Sequence, residues 1–315
     1  MQTILGANGQ IGEELARELK RNFTSDIRIV SRKAAKINDT DEIFSADLSL
    51  REKAIEAVKG SEIAYFTLGL PISSDLWEQQ FPLILRNVME ACKIHGTRLV
   101  FFDNTYMYPQ DGRVLREDTV FDPVGRKGAV RREMAEMVLK EMQAGELEAV
   151  ICRAPEFYGP SKTQSITNSL IFNNIKESKK LKVPLSAYKR KSLIWTPDAS
   201  RATALIGNTP GAFGQTWHLP VDESHPTYKE FIALASGIYG KKLKYSVIPE
   251  FIFKIGSLFN KRVKELLELL PRYKHDNIFD DSKFRKRFPD FAVTSYRQGI
   301  EQIRNGGLSS RQENQ

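Results

Sequence analysis

A chain of 315 residues with 41% hydrophobic and 27% charged residues can bury a sizeable core without disulfides or metals, which excludes a disordered or disulfide-stapled protein. Its formal charge is +8, but the basic residues are dispersed. The clusters at Lys179 and Lys180, at Lys189, Arg190 and Lys191, and at Lys241 and Lys242 have no interleaved aromatic ladder, so they read as solvated faces and no nucleic-acid partner is expected.

The first 155 residues alternate between two periods. Residues 3–5 form a short apolar strand, and Ile11, Leu15 and Leu19 mark one face of the helix after it. Residues 27–30 are a second strand, and a third ends at Asp47 before a helix over 51–59. Residues 63–66 follow as a strand. Trp77, Phe81, Ile84, Leu85, Val88, Met89 and Cys92 then form one stripe of a long helix. A strand at 99–102, a helix at 131–140 and a strand at 149–152 complete the run.

Short continuous apolar strands between amphipathic helices predict an α/β fold, a doubly wound Rossmann-type parallel sheet covered on both faces. Past Pro155 the pattern loosens into a helix near 166–175, basic loops, strands at 193–195 and 217–219, and a strand at 245–249 entering a helix. The expected organisation is a dinucleotide-binding domain over 1–159, with return segments near 193–220. A smaller, mostly C-terminal substrate lobe takes 160–192 and 221–315. The polar tail at 305–315 reads as frayed.

Cys92 and Cys152 lie in apolar runs and read as buried thiols, while the four histidines form no ligand pair, so no metal site is expected. A strand begins within two residues of Met1, and no apolar run reaches the roughly 18 residues a membrane helix needs. The expectation is a cytoplasmic protein with no membrane partner.

Gly6-Ala7-Asn8-Gly9-Gln10-Ile11-Gly12 joins the first strand to the first helix. Gly6 permits the tight turn, Gly9 lets the backbone approach a pyrophosphate, and Gly12 lets helix pack on strand. The N–H groups at the helix start favour anionic phosphates. At the end of the second strand an acid would hold a ribose 2′-hydroxyl, whereas a base accommodates a 2′-phosphate. This chain has Ser31-Arg32-Lys33 there, so NADP(H) is favoured and NAD(H) stays open.

These residues resemble the extended short-chain dehydrogenase/reductase family, which contains NAD(P)-dependent sugar-nucleotide epimerases and dehydratases. Gly6, Gly9 and Gly12 match its GxxGxxG. Asp47-Leu48 matches its acidic-apolar pair near the adenine ring, and Thr67-Leu68-Gly69 its cofactor-lining turn. Residues 153–160 (RAPEFYGP) and 195–202 (WTPDASRA) are similar to two further segments. The resemblance implies an oxidoreductase or epimerase-like enzyme acting on a small or nucleotide-linked carbonyl or hydroxyl compound. Homodimers in that family often form through the two long helices, here about 77–94 and 131–140.

The catalytic positions depart from the family's pattern of Ser or Thr, then Tyr-x-x-x-Lys. Asn104 stands at the serine position. Aligning Ala135-Glu136 with the family's AE puts Gly128 at the tyrosine and Arg132 at the lysine. Glycine can move no proton, and arginine stays protonated, although it can hold ribose hydroxyls or phosphate. Candidate substitutes are Tyr106, and Lys127, which with Arg131 repeats the i, i+4 spacing one residue earlier. Two classes remain open: an enzyme with a non-standard site built on Asn104, Tyr106, Lys127 and Arg132, or a catalytically inactive NADP(H)-binding sensor or interaction protein.

Overall fold

A computed structural model describes residues 1–160 and 163–312. Contacts divide the chain into two compact units. The first comprises Met1–Met107, Phe121–Ala154 and Ala199–Leu219; the second comprises Tyr108–Val120, Pro155–Asp198 and Pro220–Gln315.

The chain opens with strands β1 (Gln2–Leu5), β2 (Ile27–Ser31), β3 (Glu42–Ser45), β4 (Ile63–Phe66), β5 (Arg98–Asp103) and β6 (Ala149–Arg153). Helix α1 (Gln10–Asn22) follows β1, α2 (Arg51–Val58) follows β3, α3 (Ser74–His95) follows β4, and α4 (Gly125–Gln143) lies between β5 and β6. Next come β7 (Glu156–Tyr158), a π-helical turn at Asn168–Phe172 running into α5 (Asn173–Lys176), β8 (Leu181–Pro184) and β9 (Leu193–Trp195). Helix α6 (Thr196–Gly207) then leads to β10 (Thr216–His218). The remainder is α7 (Tyr228–Ile238), β11 (Tyr245–Ile248), α8 (Glu250–Phe259), α9 (Lys261–Leu266), a 3₁₀ turn at Leu267–Tyr273, α10 (Ser282–Arg287) and α11 (Tyr296–Gln312).

In the first unit seven strands pair in the order β10-β6-β5-β4-β1-β2-β3, every pair parallel. This is the doubly wound Rossmann-type sheet. β1 and β4 are wholly buried, as a parallel sheet covered on both faces requires. Alternate residues take opposite faces. Phe66, Phe101 and Ile151 join a core with Trp77, Phe81, Leu85 and Val88 of α3 and Val130, Met134 and Val138 of α4. On the other face Tyr65 meets Gly207 of α6, where an added Cβ would sit 2.5 Å from the phenol oxygen. Cys92 and Cys152 are both buried free thiols, and burial pushes Cys92 up to about 12.

The sheet's winding reverses between β1 and β4. A crevice outside the carboxyl ends of two such strands is where open α/β sheets take ligands. The register Leu5↔Phe66 brings Gly6 and Thr67 to that point side by side.

The second unit has two parallel strand pairs, β7 with β9 and β11 with β8. Its core gathers Tyr158, Phe172, Trp195, Phe231 and Tyr296. Thr227 and Glu230 form a reciprocal capping box at the start of α7.

Several elements differ from the sequence expectation. The helix expected at 131–140 begins six residues earlier, because Pro123 and Val124 lead directly into a helical turn at Gly125. The third strand ends at Ser45, two residues short of Asp47. Residues 181–184, read as basic loop, form β8 because β11 supplies its hydrogen bonds. The tail read as frayed continues α11 through Gln312, while residues 313–315 lie outside the described residues. Among the described residues no helix is long and apolar enough to cross a membrane.

Candidate cofactor and catalytic site

The glycine turn is shaped by contacts no larger residue allows. Gly6 has φ +91°, in the left-handed region, and a Cβ there would lie 2.5 Å from Leu68 Cα. A Cβ on Gly12 would lie 2.6 Å from Ala7 Cα. Gly9 differs: it has ordinary φ −80°, and a Cβ would meet nothing closer than Gly6 O at 3.3 Å. Its bare Cα therefore serves approach from outside rather than packing within. Gly9 is the N-cap of α1 and provides no side-chain cap, so the first turn offers its N–H groups to an external anion.

Around the turn, Ile11 is buried and its carbonyl accepts from Ser200 Oγ at 3.0 Å. Gln10 opens α1 beside it. Thr67 is buried and donates through Oγ1 to Leu5 O at 3.2 Å, whereas Gly69 is exposed with open space beyond it. Asn8 donates through Nδ2 to Lys33 O at 2.7 Å, tying the glycine turn to the segment after β2. Arg32 and Lys33 are exposed there. The Ser31 hydroxyl beside them is buried and has no hydrogen-bond partner among the described residues. Buried polar atoms are rarely left so. Asp47 accepts from both Ser49 N and Ser49 Oγ, which hold its carboxyl below the ordinary range, with Arg32 adding to the pull. Leu48 is buried beneath.

The candidate catalytic residues do not all converge. Asn104 Oδ1 accepts from Tyr106 N at 2.9 Å, closing an Asx turn, so its amide oxygen is engaged locally. Tyr106 is half-buried and stacks on Trp77, ring centroids 6.1 Å apart and planes 9° from parallel. Lys127 is fully buried and donates to Ser74 Oγ at 2.9 Å. Arg132 is elsewhere: its side chain is 49% exposed and pairs with Glu136 one turn along the surface of α4.

Arg131, the residue before it, faces inward. It lies over Phe81 and Trp77, at 4.6 and 5.5 Å from their ring centroids, with Nη1 3.6 Å from Asp103 Oδ1. Asp103 also faces Arg153 Nε at 3.4 Å and accepts Asn104 N–H at 2.8 Å. Burial pushes the Asp103 carboxyl up against the opposing pull of Arg153 and Arg131. Lys127, Arg131, Met134 and Val138 form a single buried stripe of α4. The four-residue spacing that points inward is thus 127 and 131, not 128 and 132. Sequence reading paired Lys127 with Arg131 but took the helix to start at 131, and so did not extend the Met134–Val138 stripe back to place that pair on the inward face. Gly128 is closed off, because a Cβ there would lie 2.8 Å from Tyr106 O and 2.9 Å from Pro123 Cβ.

Tyr158, in the 153–160 segment that resembles the family, packs in the second unit's core against Trp195, Tyr296 and Phe231. Arg153 is buried over Phe121 at 5.2 Å.

Residues 3–217 match the NAD dependent epimerase/dehydratase family. The chain belongs to that family. Solved structures share the family's fold over nearly the whole length. UDP-glucuronic acid 4-epimerase from Bacillus cereus, in complex with UDP-glucuronic acid and NAD, superposes with a TM-score of 0.80 at 15% identity, covering 98% of this chain and 100% of that one. DesIV, a dTDP-glucose 4,6-dehydratase from Streptomyces venezuelae, gives 0.79 at 13% identity over 99% and 98% of the two chains. At such identities the likeness establishes the fold alone. Among curated proteins, uncharacterized protein y4nL of Sinorhizobium fredii is 28% identical over 142 residues, 45% of this chain and 39% of that protein. The alignment therefore spans well under half of that protein's length.

Proposed function

We propose that this family member binds NADP(H) and acts as an oxidoreductase or epimerase-like enzyme on a small or nucleotide-linked carbonyl or hydroxyl compound. The observation that carries the cofactor reading is the end of β2. A buried Ser31 hydroxyl without a partner stands beside exposed Arg32 and Lys33, with the open Gly9 cradle across the turn. A 2′-phosphate would give the hydroxyl an acceptor and the two cations an anion. The structural relatives named above were solved with NAD, so the preference for the phosphorylated form rests on this chain's own residues.

When bound, the nicotinamide supplies or removes the hydride. The protein's part is the proton at the substrate oxygen. Lys127 is sealed behind Ser74 and Arg132 is paired on the surface, which leaves the Tyr106 phenol as the side chain for that role. The inward-facing Arg131 lies over Trp77, the ring on which Tyr106 stacks, and so places a cation within electrostatic reach of that side chain. The phenol would give its proton to the substrate oxygen on reduction and take it back in the reverse direction.

The second reading, a cofactor-binding protein without turnover, draws on Gly128, where the backbone has closed over the family's tyrosine position. Fluorescence titration with NADPH and NADH, then absorbance with carbonyl compounds and sugar nucleotides, separates the two. The expected result is tighter NADPH binding, and turnover that falls about 10²–10⁴-fold in Tyr106→Phe with NADPH affinity unchanged. Tight NADPH binding with no turnover across the panel would establish the second reading. Tighter NADH binding would overturn the role of Arg32.

A further inference from the structure

Helices α8 and α9 of the second unit contain no buried residue. Five of the sixteen exposed large apolar side chains of the described residues fall within 251–259: Phe251, Ile252, Ile255, Leu258 and Phe259. At 100° per residue they span one arc of about 120° on α8. Leu258 and Phe259 are 77% and 86% exposed. Phe253, on the opposite side, packs against the unit's core, so the helix is anchored by one face and presents the other to solvent.

The sequence around this arc is basic. From residue 241 to the end of α9 at 266 stand Lys241, Lys242, Lys244, Lys254, Lys261, Arg262 and Lys264 against two acids, Glu250 and Glu265. Glu250 is already taken by Lys254 at 3.2 Å and Lys274 at 2.8 Å. The parallel pairing of β8 with β11 also gathers clusters that are far apart in sequence. Lys179, Lys180, Lys241, Lys242 and Lys244 line one groove of about 280 Å³. Lys241, Lys242, Lys244, Lys261, Arg262 and Lys264 have no ion-pair partner among the described residues.

We infer that α8 and its basic flanks form a docking surface for an anionic lipid bilayer. An amphipathic helix with Phe, Leu and Ile on one face and Lys and Arg beside it lies in the headgroup plane, its apolar side chains among the acyl chains and its cations at the phosphates. A second copy of this chain is a poorer occupant, since pairing the two arcs brings two sets of unpaired cations together. The sequence expectation of no membrane partner rested on spanning segments. Surface attachment needs none.

The test is co-sedimentation of the full chain with vesicles of phosphatidylcholine and phosphatidylglycerol in equal parts, and with phosphatidylcholine alone. Expected is binding to the mixed vesicles that weakens with added salt, and little binding to the neutral ones. Leu258→Glu with Phe259→Glu lowers it by about tenfold or more, as does Lys241→Glu with Lys242→Glu. Phe259→Trp keeps the fold and reports insertion directly by a blue-shifted emission on mixed vesicles. Equal binding to both vesicle types, binding to neither, or an unshifted Trp emission overturns the proposal. So does a concentration-dependent dimer that Leu258→Glu with Phe259→Glu abolishes, which would assign the arc to a second copy.

Discussion

Arg131 points its guanidinium at the buried carboxylate of Asp103, Nη1 to Oδ1 3.6 Å, while the next residue along the helix, Arg132, pairs with Glu136 in solvent. Asp103 faces two buried arginines, Arg131 and Arg153. Removing it takes a buried carboxylate from beside two buried cations. Asp103→Ala is expected to destabilise the protein by about 3–5 kcal/mol, as breaking a buried pair does. Arg132→Ala, which loses one exposed i, i+4 pair, stays within about 0.5 kcal/mol of the parent. Urea denaturation of both variants checks this. Comparable losses would mean that the inward-facing spacing has been assigned to the wrong pair.

The three glycines of the turn separate structure from binding. Ala at Gly6 or Gly12 drives a methyl into Leu68 or Ala7 backbone, so each costs about 2–4 kcal/mol of stability. Ala at Gly9 meets only Gly6 O at 3.3 Å and is expected to fold normally. Its methyl instead occupies the approach to the pyrophosphate, and the NADPH dissociation constant rises about tenfold or more. Thermal melts alongside NADPH titration decide the point. A Gly9→Ala protein that binds as well as the parent would show that the cradle is not used.

What was legible in the sequence follows from how local each signal is. The strands that build the sheet show as unbroken apolar runs, and the glycine turn shows as three glycines within seven residues between strand and helix, although the Leu68 backbone that Gly6 must clear lies 62 residues on. Long-range partners were not legible. β8 is a basic stretch until β11 lies beside it, and Lys191, in a run of three cations, reads as solvated. The inward turn of Lys127 and Arg131 depends on Ser74 and Asp103, 53 and 28 residues away, since a buried cation is tolerated only where a partner waits.

Gly128 bears on whether the family's tyrosine could be restored. With Tyr106 O at 2.8 Å and Pro123 Cβ at 2.9 Å from an ideal Cβ, even alanine requires the backbone on two segments to shift. Gly128→Ala is expected to cost about 1–3 kcal/mol, and Gly128→Tyr more, without gain of turnover. Melting temperature and activity on the same preparations test this. A Gly128→Tyr protein as stable as the parent would show that the 120s loop yields more readily than its packing implies.

Lys191 makes stability depend on pH in an unusual direction. Its Nζ donates to Arg272 O at 2.6 Å and His275 O at 3.1 Å and lies 5.0 Å from the Tyr273 ring centroid. Burial pulls its pKa down to about 7, with Glu156 only partly opposing. In the unfolded chain the amine keeps its proton to about 10.4. Above pH 7, therefore, the unfolded state holds one proton more than the folded state, and raising the pH favours folding, by at most about 1.4 kcal/mol per unit. The clean window runs from about pH 7 to about 7.5; above it the two thiols, ionising near 8.5 in the unfolded chain but held up by burial in the fold, offset the slope and cancel it by about pH 8.5. Lys191→Met loses two bonds to carbonyls and some stability at every pH, but it also loses this rise. Urea denaturation of parent and variant at several pH values across the window reads the difference in slope. Parallel curves would mean that Lys191 stays charged in the fold, held by the two carbonyls and the Tyr273 ring.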